Sequence, residues 1–306
     1  MAEIDMPALV GTNPLGFLAA LGVLYCADAQ GGAADGPPRL SWTNDVEPHA
    51  VLSGVQSARD LLDRLEAERD AVAACTALNW PVENPLTTAK PNPTTLRAWA
   101  LACHKDADPR SASVFNALVA EGAYAGKGVA KPSHLDFTAG QQQLLAMARQ
   151  LAVAADRRRL EEALSRWNPS TEHPSLSFDP ADERLYALRA INPSGDKKPS
   201  TPGANWLAFL GLLMLPVVNT AGSLQTTACA GTWKRSSMEW FLWQEPLTRH
   251  TVAALLRGGA AYLPSKRPVK ADIRRTDQGG YGSFSGVIRG PRESGAGAPN
   301  PLLRMP

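Results

Sequence analysis

Basic residues are the most concentrated chemistry in this chain. From Gly231 to Pro306 the 306-residue sequence holds twelve Lys/Arg and five Asp/Glu, a net +7, whereas the first 230 residues are net −5. Lys234, Arg235, Lys266, Arg267, Lys270, Arg274 and Arg275 are seven of the twelve, and Trp233, Tyr281 and Phe284 lie near them in sequence. Cations at this density neutralise phosphates and aromatic faces stack on bases, so the pattern suits a nucleic acid. It also fits a solubilising surface, and tryptophans in strands commonly belong to a core. A second cationic pair, Lys197 and Lys198, sits in the loop INPSGDKKPSTPG. That loop joins a strand expected at Leu185–Ala190 to an apolar helix expected at Ala204–Leu215, ended by Pro216. With Asn205 near its start, the helix would present backbone N–H groups and a positive dipole end, which suits a phosphate. The same residues describe a solvated loop between core elements equally well.

Catalytic motifs are missing. The sequence has no HExxH, GxSxG, GxxxxGK[ST], or GxGxxG followed by an acid. His49, His104, His134, His173 and His250 each stand alone. Asp179, Asp182 and Glu183 form an acidic cluster that could hold a divalent ion, but capping of a turn before a strand explains it better. Cys26, Cys75, Cys103 and Cys229 show neither CxxC nor Cys/His ligand spacing, so free thiols are expected rather than disulfides or zinc. No cofactor or metal is implied. The N-terminus MAEIDMPAL lacks a basic n-region, and the longest apolar runs fall short of a membrane span, so a cytoplasmic chain without membrane partners is expected.

The elements that must position these residues follow from periodicity and caps. Met6–Val10 is expected to be a short strand. GTNP then supplies a cap (Thr12 or Asn13) and a first-turn proline for an apolar helix Leu15–Ala29, closed by Gly31-Gly32. Arg39–Thr43 is expected to be a strand. Ala50–Ala77 carries a helical apolar pattern whose intervening charges are assigned to the surface. Leu96–His104 and Leu144–Trp167 are expected helices, the second capped by Thr138, with Gln141–Gln143 in its first turn and a cluster of three arginines at 157–159. Val114–Glu121 reads as helix or strand, and Gly122–Pro132 as a Gly/Lys-rich loop. Leu224–Ala230 and Met238–Gln244 are expected strands, Thr248–Leu256 a helix, and Val287-Ile288 a last strand. The fold class is α+β, with mixed or antiparallel sheets packed on several apolar helices. Residues 1–290 form one unit with a possible sub-boundary near 168–177, and 291–306 are expected to be a disordered tail.

Three stretches together resemble a family: Gly11–Leu24 (GTNPLGFLAALGVL), Leu135–Leu145 (LDFTAGQQQLL), and Phe178–Pro216 with its YALRAINPSGD…GANWLAF core. They are similar to the Csb-group proteins of type I-G (formerly I-U) CRISPR systems, and the match is scattered over residues 6–290. The resemblance implies a cytoplasmic component of prokaryotic antiviral defence, associated with RNA-guided, Cascade-type complexes. Guide RNA, target DNA and other effector subunits would then be its partners. In such complexes base pairing reads the sequence and the protein supplies backbone contacts, which needs cationic loops and no catalytic triad. The expected function is a non-catalytic effector subunit that binds guide RNA and/or target DNA. A metal-dependent nuclease, a guide-RNA-processing endonuclease using His134 or His250, and a protein-only adaptor recruiting the helicase-nuclease are the alternatives.

Overall fold

The computed structural model describes residues 2–31, 36–126, 128–182, 198–259, 266–275 and 280–289. The strand expected at Leu185–Ala190, the residue Lys197 and the tail 291–306 lie outside them.

The N-terminal junction forms as its residues dictate. Strand β1 (Ala2–Val10) runs into Gly11-Thr12, and Asn13 caps helix α1 (Pro14–Ala29), its side chain accepting from the amides of Leu15 and Gly16 at 2.8 and 3.4 Å. Every residue of α1 from Pro14 to Ala27 is buried. Strand β2 (Arg39–Trp42) follows, then β3 (His49–Val55) and helix α2 (Ala58–Ala74). This corrects the single helix expected over Ala50–Ala77. HAVLSGV alternates in burial as a strand, and Ser57 and Asp60 then start a new helix with a reciprocal cap.

Helices α3 (Thr76–Asn79), α4 (Pro93–Lys105) and α5 (Pro109–Leu118) lead into the hairpin β4 (Val119–Tyr124) and β5 (Ala130–Pro132), which replaces the loop expected at Gly122–Pro132. The long helix expected at Leu144–Trp167 is two: α6 (Leu144–Ala154) and α7 (Arg157–Ser165), broken where Asp156 caps the amide of Arg159 at 2.8 Å. Thr138 is not the cap of α6. It is buried and donates its hydroxyl to Asp136 instead.

Helix α8 (Pro202–Gly211), continued by a 3₁₀ turn Leu212–Met214, is buried along its whole length and packs along α1. The two backbones come unusually close. A Cβ added to Gly22 would overlap the Leu207 carbonyl, and one added to Gly211 would overlap the Leu18 carbonyl, so only glycine permits this crossing. The chain continues through β6 (Val217–Thr220), β7 (Ser223–Thr226), β8 (Cys229–Thr232), β9 (Arg235–Trp243), β10 (Leu247–Thr248) and α9 (Arg249–Ala254). It then passes a single π-turn at Leu255–Gly259 and ends in β11 (Lys266–Arg275) and β12 (Gly282–Arg289).

The architecture is α+β with antiparallel pairing throughout the described strands. Two four-stranded sheets have the orders β1-β3-β2-β10 and β12-β11-β9-β8, and β4-β5 and β6-β7 each form a two-stranded sheet. An aromatic stack locks the two larger sheets onto α1. Phe17 lies between Trp42 and Trp240, with ring centres 5.7 and 5.2 Å away, and Trp243 meets Trp42 edge-on. The indole N–H of Trp240 donates to Gly11 O and that of Trp243 to Leu40 O, so both polar tips are satisfied inside the core. Cys26, Cys75 and Cys103 are buried free thiols and Cys229 a half-buried one. Among the described residues, no helix is long and apolar enough to cross a membrane.

Candidate nucleic-acid interface

Strand alternation decides where the cations of the C-terminal quarter face. In the β9–β11 register Val269, Ala271 and Ile273 lie opposite Trp240, Met238 and Ser236 and are buried on the core side. Residues between them belong to the outer face: Lys270 opposite Glu239, Asp272 opposite Ser237, and Arg274 beyond, level with Ser283 of β12. Lys234 and Arg235 sit at the β8–β9 turn, at the same end of the sheet as Arg274, and all three are exposed. Among the described residues Lys234 and Arg235 have no acidic partner.

The expected seven-residue surface is therefore not one surface. Lys234, Arg235 and Arg274 gather at one end. Lys270 is in the middle, 2.7 Å from Glu239, with part of its charge cancelled there. Arg267 lies toward the opposite end, where its guanidinium donates to Val46 O at 3.3 Å. The backbone of Lys266 begins β11 beside it. Lys198 lies on none of these strands and donates to Ser177 Oγ at 2.7 Å.

Arg275 departs from the expectation. It falls on the core side of β11, and its guanidinium lies 3.5 Å from the centre of the Trp233 ring. It donates to four carbonyls: His134 at 2.7 Å, Asp136 at 3.0 Å, Trp233 at 3.1 Å and Gly280 at 3.3 Å. Burial lowers its pKa to about 10. A guanidinium with four of its five N–H donors on carbonyls ties His134 and Asp136 to the sheet rather than meeting a ligand. The aromatic neighbours are committed too. Phe284 is fully buried against Phe137 and Phe178, and Trp233 stacks on Arg275.

The two histidines weighed for catalysis differ. His134 is buried, and Thr226 Oγ1 accepts from its backbone N–H at 2.9 Å and meets its Nδ1 at 3.0 Å. Burial, helped by Arg275, pushes its pKa down, which keeps the ring neutral. Nearby, Asp136 is buried with Lys90 Nζ 3.3 Å from its Oδ2, while its Oδ1 accepts from Thr138. His250 is exposed on the rim of a cleft. Among the described residues no group of three His, Cys, Asp or Glu converges as a metal site would need.

That cleft, of about 510 Å³, was not visible from motifs. Tyr25, Glu68, Arg110, Met214, Arg249 and Arg257 line it. Glu68 is fully buried, and its carboxylate accepts from Arg110 Nε and Nη2 at 2.8 and 2.7 Å and from the Gln30 amide at 3.0 Å. This overturns the assignment of every charge on α2 to the surface. Arg249 pairs with Asp28 at 2.9 Å and covers the Tyr25 ring. The signal was present in the sequence: Leu61, Leu65, Glu68 and Val72 share one helical stripe, and a carboxylate on an apolar stripe needs a partner.

The described parts of the stretches that carry the family resemblance touch one another. Asn13 donates to Asp179 at 3.3 Å, Phe137 packs edge-on against Phe178, and α1 lies along α8. Compared with protein-family models and with curated proteins, the chain has no match.

Proposed function

We propose that this protein is a non-catalytic subunit of a type I-G CRISPR RNA-guided effector complex, binding guide RNA and/or target DNA in the cytoplasm beside other effector subunits. The observation that supports it most is the exposed cationic end of the β8-β9-β11 sheet, where Lys234, Arg235 and Arg274 gather beyond the core. Exposed guanidinium and ammonium groups on a strand face track a phosphate backbone without reading bases, which is what an RNA-guided assembly asks of its protein. Described residues of the family resemblance fit the same account, since Phe137 and Phe178 pack against Phe284 of β12.

The test is binding to labelled RNA and DNA with Mg²⁺ or Mn²⁺ present, for the native chain and for a variant with Lys234, Arg235, Lys270 and Arg274 all changed to Ala. Retardation without cleavage is expected. The variant should bind every sequence more weakly. Its slope of log affinity against log salt should flatten by about 0.7 for each phosphate it no longer neutralises on single strands, or about 0.9 on duplex. Cleavage would replace this reading with the nuclease. Absence of binding together with capture of the helicase-nuclease would replace it with the adaptor.

A further inference from the structure

We propose that the cleft between α1, α2, α5 and α9 binds a small organic monoanion, a carboxylate carried on an apolar body. Tyr25 lines this cleft and is only 7% exposed. Its hydroxyl has no hydrogen-bond partner among the described residues and is not sealed in the interior, so it opens on the cleft. Burial, and the Glu68 carboxylate, push the phenol above its ordinary range, so it stays protonated and serves as a donor. Helix α9 supplies the cations. Arg249, Ala253 and Arg257 follow at intervals of four and all line the cleft, Arg257 from the π-turn that continues the helix. Single π-turns of this kind recur at functional sites.

The donors divide into spent and unspent. Arg110 gives Nε and Nη2 to Glu68 and Nη1 to Asp108, so it is committed to the protein. Arg249 Nε lies 2.9 Å from Asp28 Oδ2, and its guanidinium covers the Tyr25 ring at 5.4 Å. Its Nη1 and Nη2 make no hydrogen bond among the described residues. Arg257 is exposed and has no acidic partner among them. Three arginines thus share the cleft with two acids, Asp28 and Glu68, and both acids are already ion-paired. The charge left over is that of Arg257, which suits a monoanion, whereas a polyanion would meet Asp28 and Glu68 without further cations to offset it. A carboxylate matches the fork of a guanidinium and the phenol donor through charge-assisted bonds. Leu213, Met214 and Ala253 give the cleft an apolar wall for the rest of the molecule. The volume of about 510 Å³ falls within the roughly 300–1,000 Å³ of small-molecule sites. The site does not rest on the effector reading.

The experiment titrates 2-naphthoate, and the neutral 2-naphthamide of the same shape, into the full chain by calorimetry at fixed ionic strength. Saturable binding of naphthoate is expected, about tenfold or more tighter than that of naphthamide. Arg257→Gln should remove most of that preference. Tyr25→Phe should weaken naphthoate by about threefold to tenfold at an unchanged melting temperature, because the hydroxyl it deletes bonds to no group of the protein. An RNA oligonucleotide should not displace naphthoate. No saturable binding, equal affinity for the amide, or native affinity in both variants would each overturn the site. Displacement by RNA would overturn the small-molecule assignment and give the cleft to the nucleic acid. The comparison of naphthoate with naphthamide is made on the native chain, so the test survives a variant that fails to fold.

Discussion

Two carboxylate–cation pairs in this molecule are chemically alike and physically opposite. Glu68 and Arg110 meet across α2 and α5 with the glutamate side chain wholly excluded from water, and the guanidinium grips it through two nitrogens. Glu239 and Lys270 meet across β9 and β11 at the same 2.7 Å, but the side chains are 50% and 37% exposed. Distance does not separate them; solvent does. Inside, each charge depends on its partner because water cannot replace it. Outside, water substitutes for either partner at little cost, leaving the cation available to another anion. The buried pair therefore belongs to stability and the exposed one to recognition.

The largest expected effect breaks the inner pair alone. Arg110→Ala strands the Glu68 carboxylate in the core and should cost about 3–5 kcal/mol in chemical denaturation. Changing Glu68 and Arg110 together to Leu should recover most of that loss, because no unpaired charge is left behind. A double variant as unstable as Arg110→Ala would mean that the pair's geometry, rather than its charge, holds α2 to α5.

The second effect is a pH dependence from a buried group that stays neutral. His134 has its pKa depressed below the ordinary 6.5 by burial and by Arg275. As pH falls below 6.5 the unfolded chain takes up a proton that the folded chain refuses. The contribution is therefore complete above 6.5 and is lost as pH falls toward the depressed value, at up to about 1.4 kcal/mol per pH unit. Urea midpoints of the native chain and His134→Gln between pH 5 and 8 should diverge at the acid end. Parallel curves would remove His134 from the buried set.

The smallest effect belongs to the outer pair. Lys270→Ala should change stability by about 0–1 kcal/mol and leave the denaturant slope unchanged. A loss near that of Arg110→Ala would erase the distinction drawn between the two pairs.

Local signals were legible and long-range partners were not. The cap at Asn13, the proline after it and the continuous apolar run made α1 readable, because each acts within a few residues. The break between β3 and α2 was written in Ser57 and Asp60, and that between α6 and α7 in Asp156, each a polar cap inside a longer run of recurring apolar residues. Charge was harder. Composition located the basic quarter, yet which cations face water depends on the β9–β11 register, and that register is set by strands more than twenty residues apart. Arg275 looked like its neighbour Arg274 until the pleat placed one inside and one outside. Arg110 lies 42 residues from Glu68, a separation that no spacing rule reaches.

The packing of α1 on α8 also has a history in time. On the ribosome, α1 emerges early, while the helix that covers it begins at Pro202 and the tryptophans that enclose Phe17 follow later still. At synthesis rates of about 5–20 residues per second, roughly ten to forty seconds separate the two helices. Throughout that interval a sixteen-residue segment with no polar face has none of its final neighbours from the C-terminal half. During that interval α1 is an exposed apolar segment of the kind that holding chaperones bind.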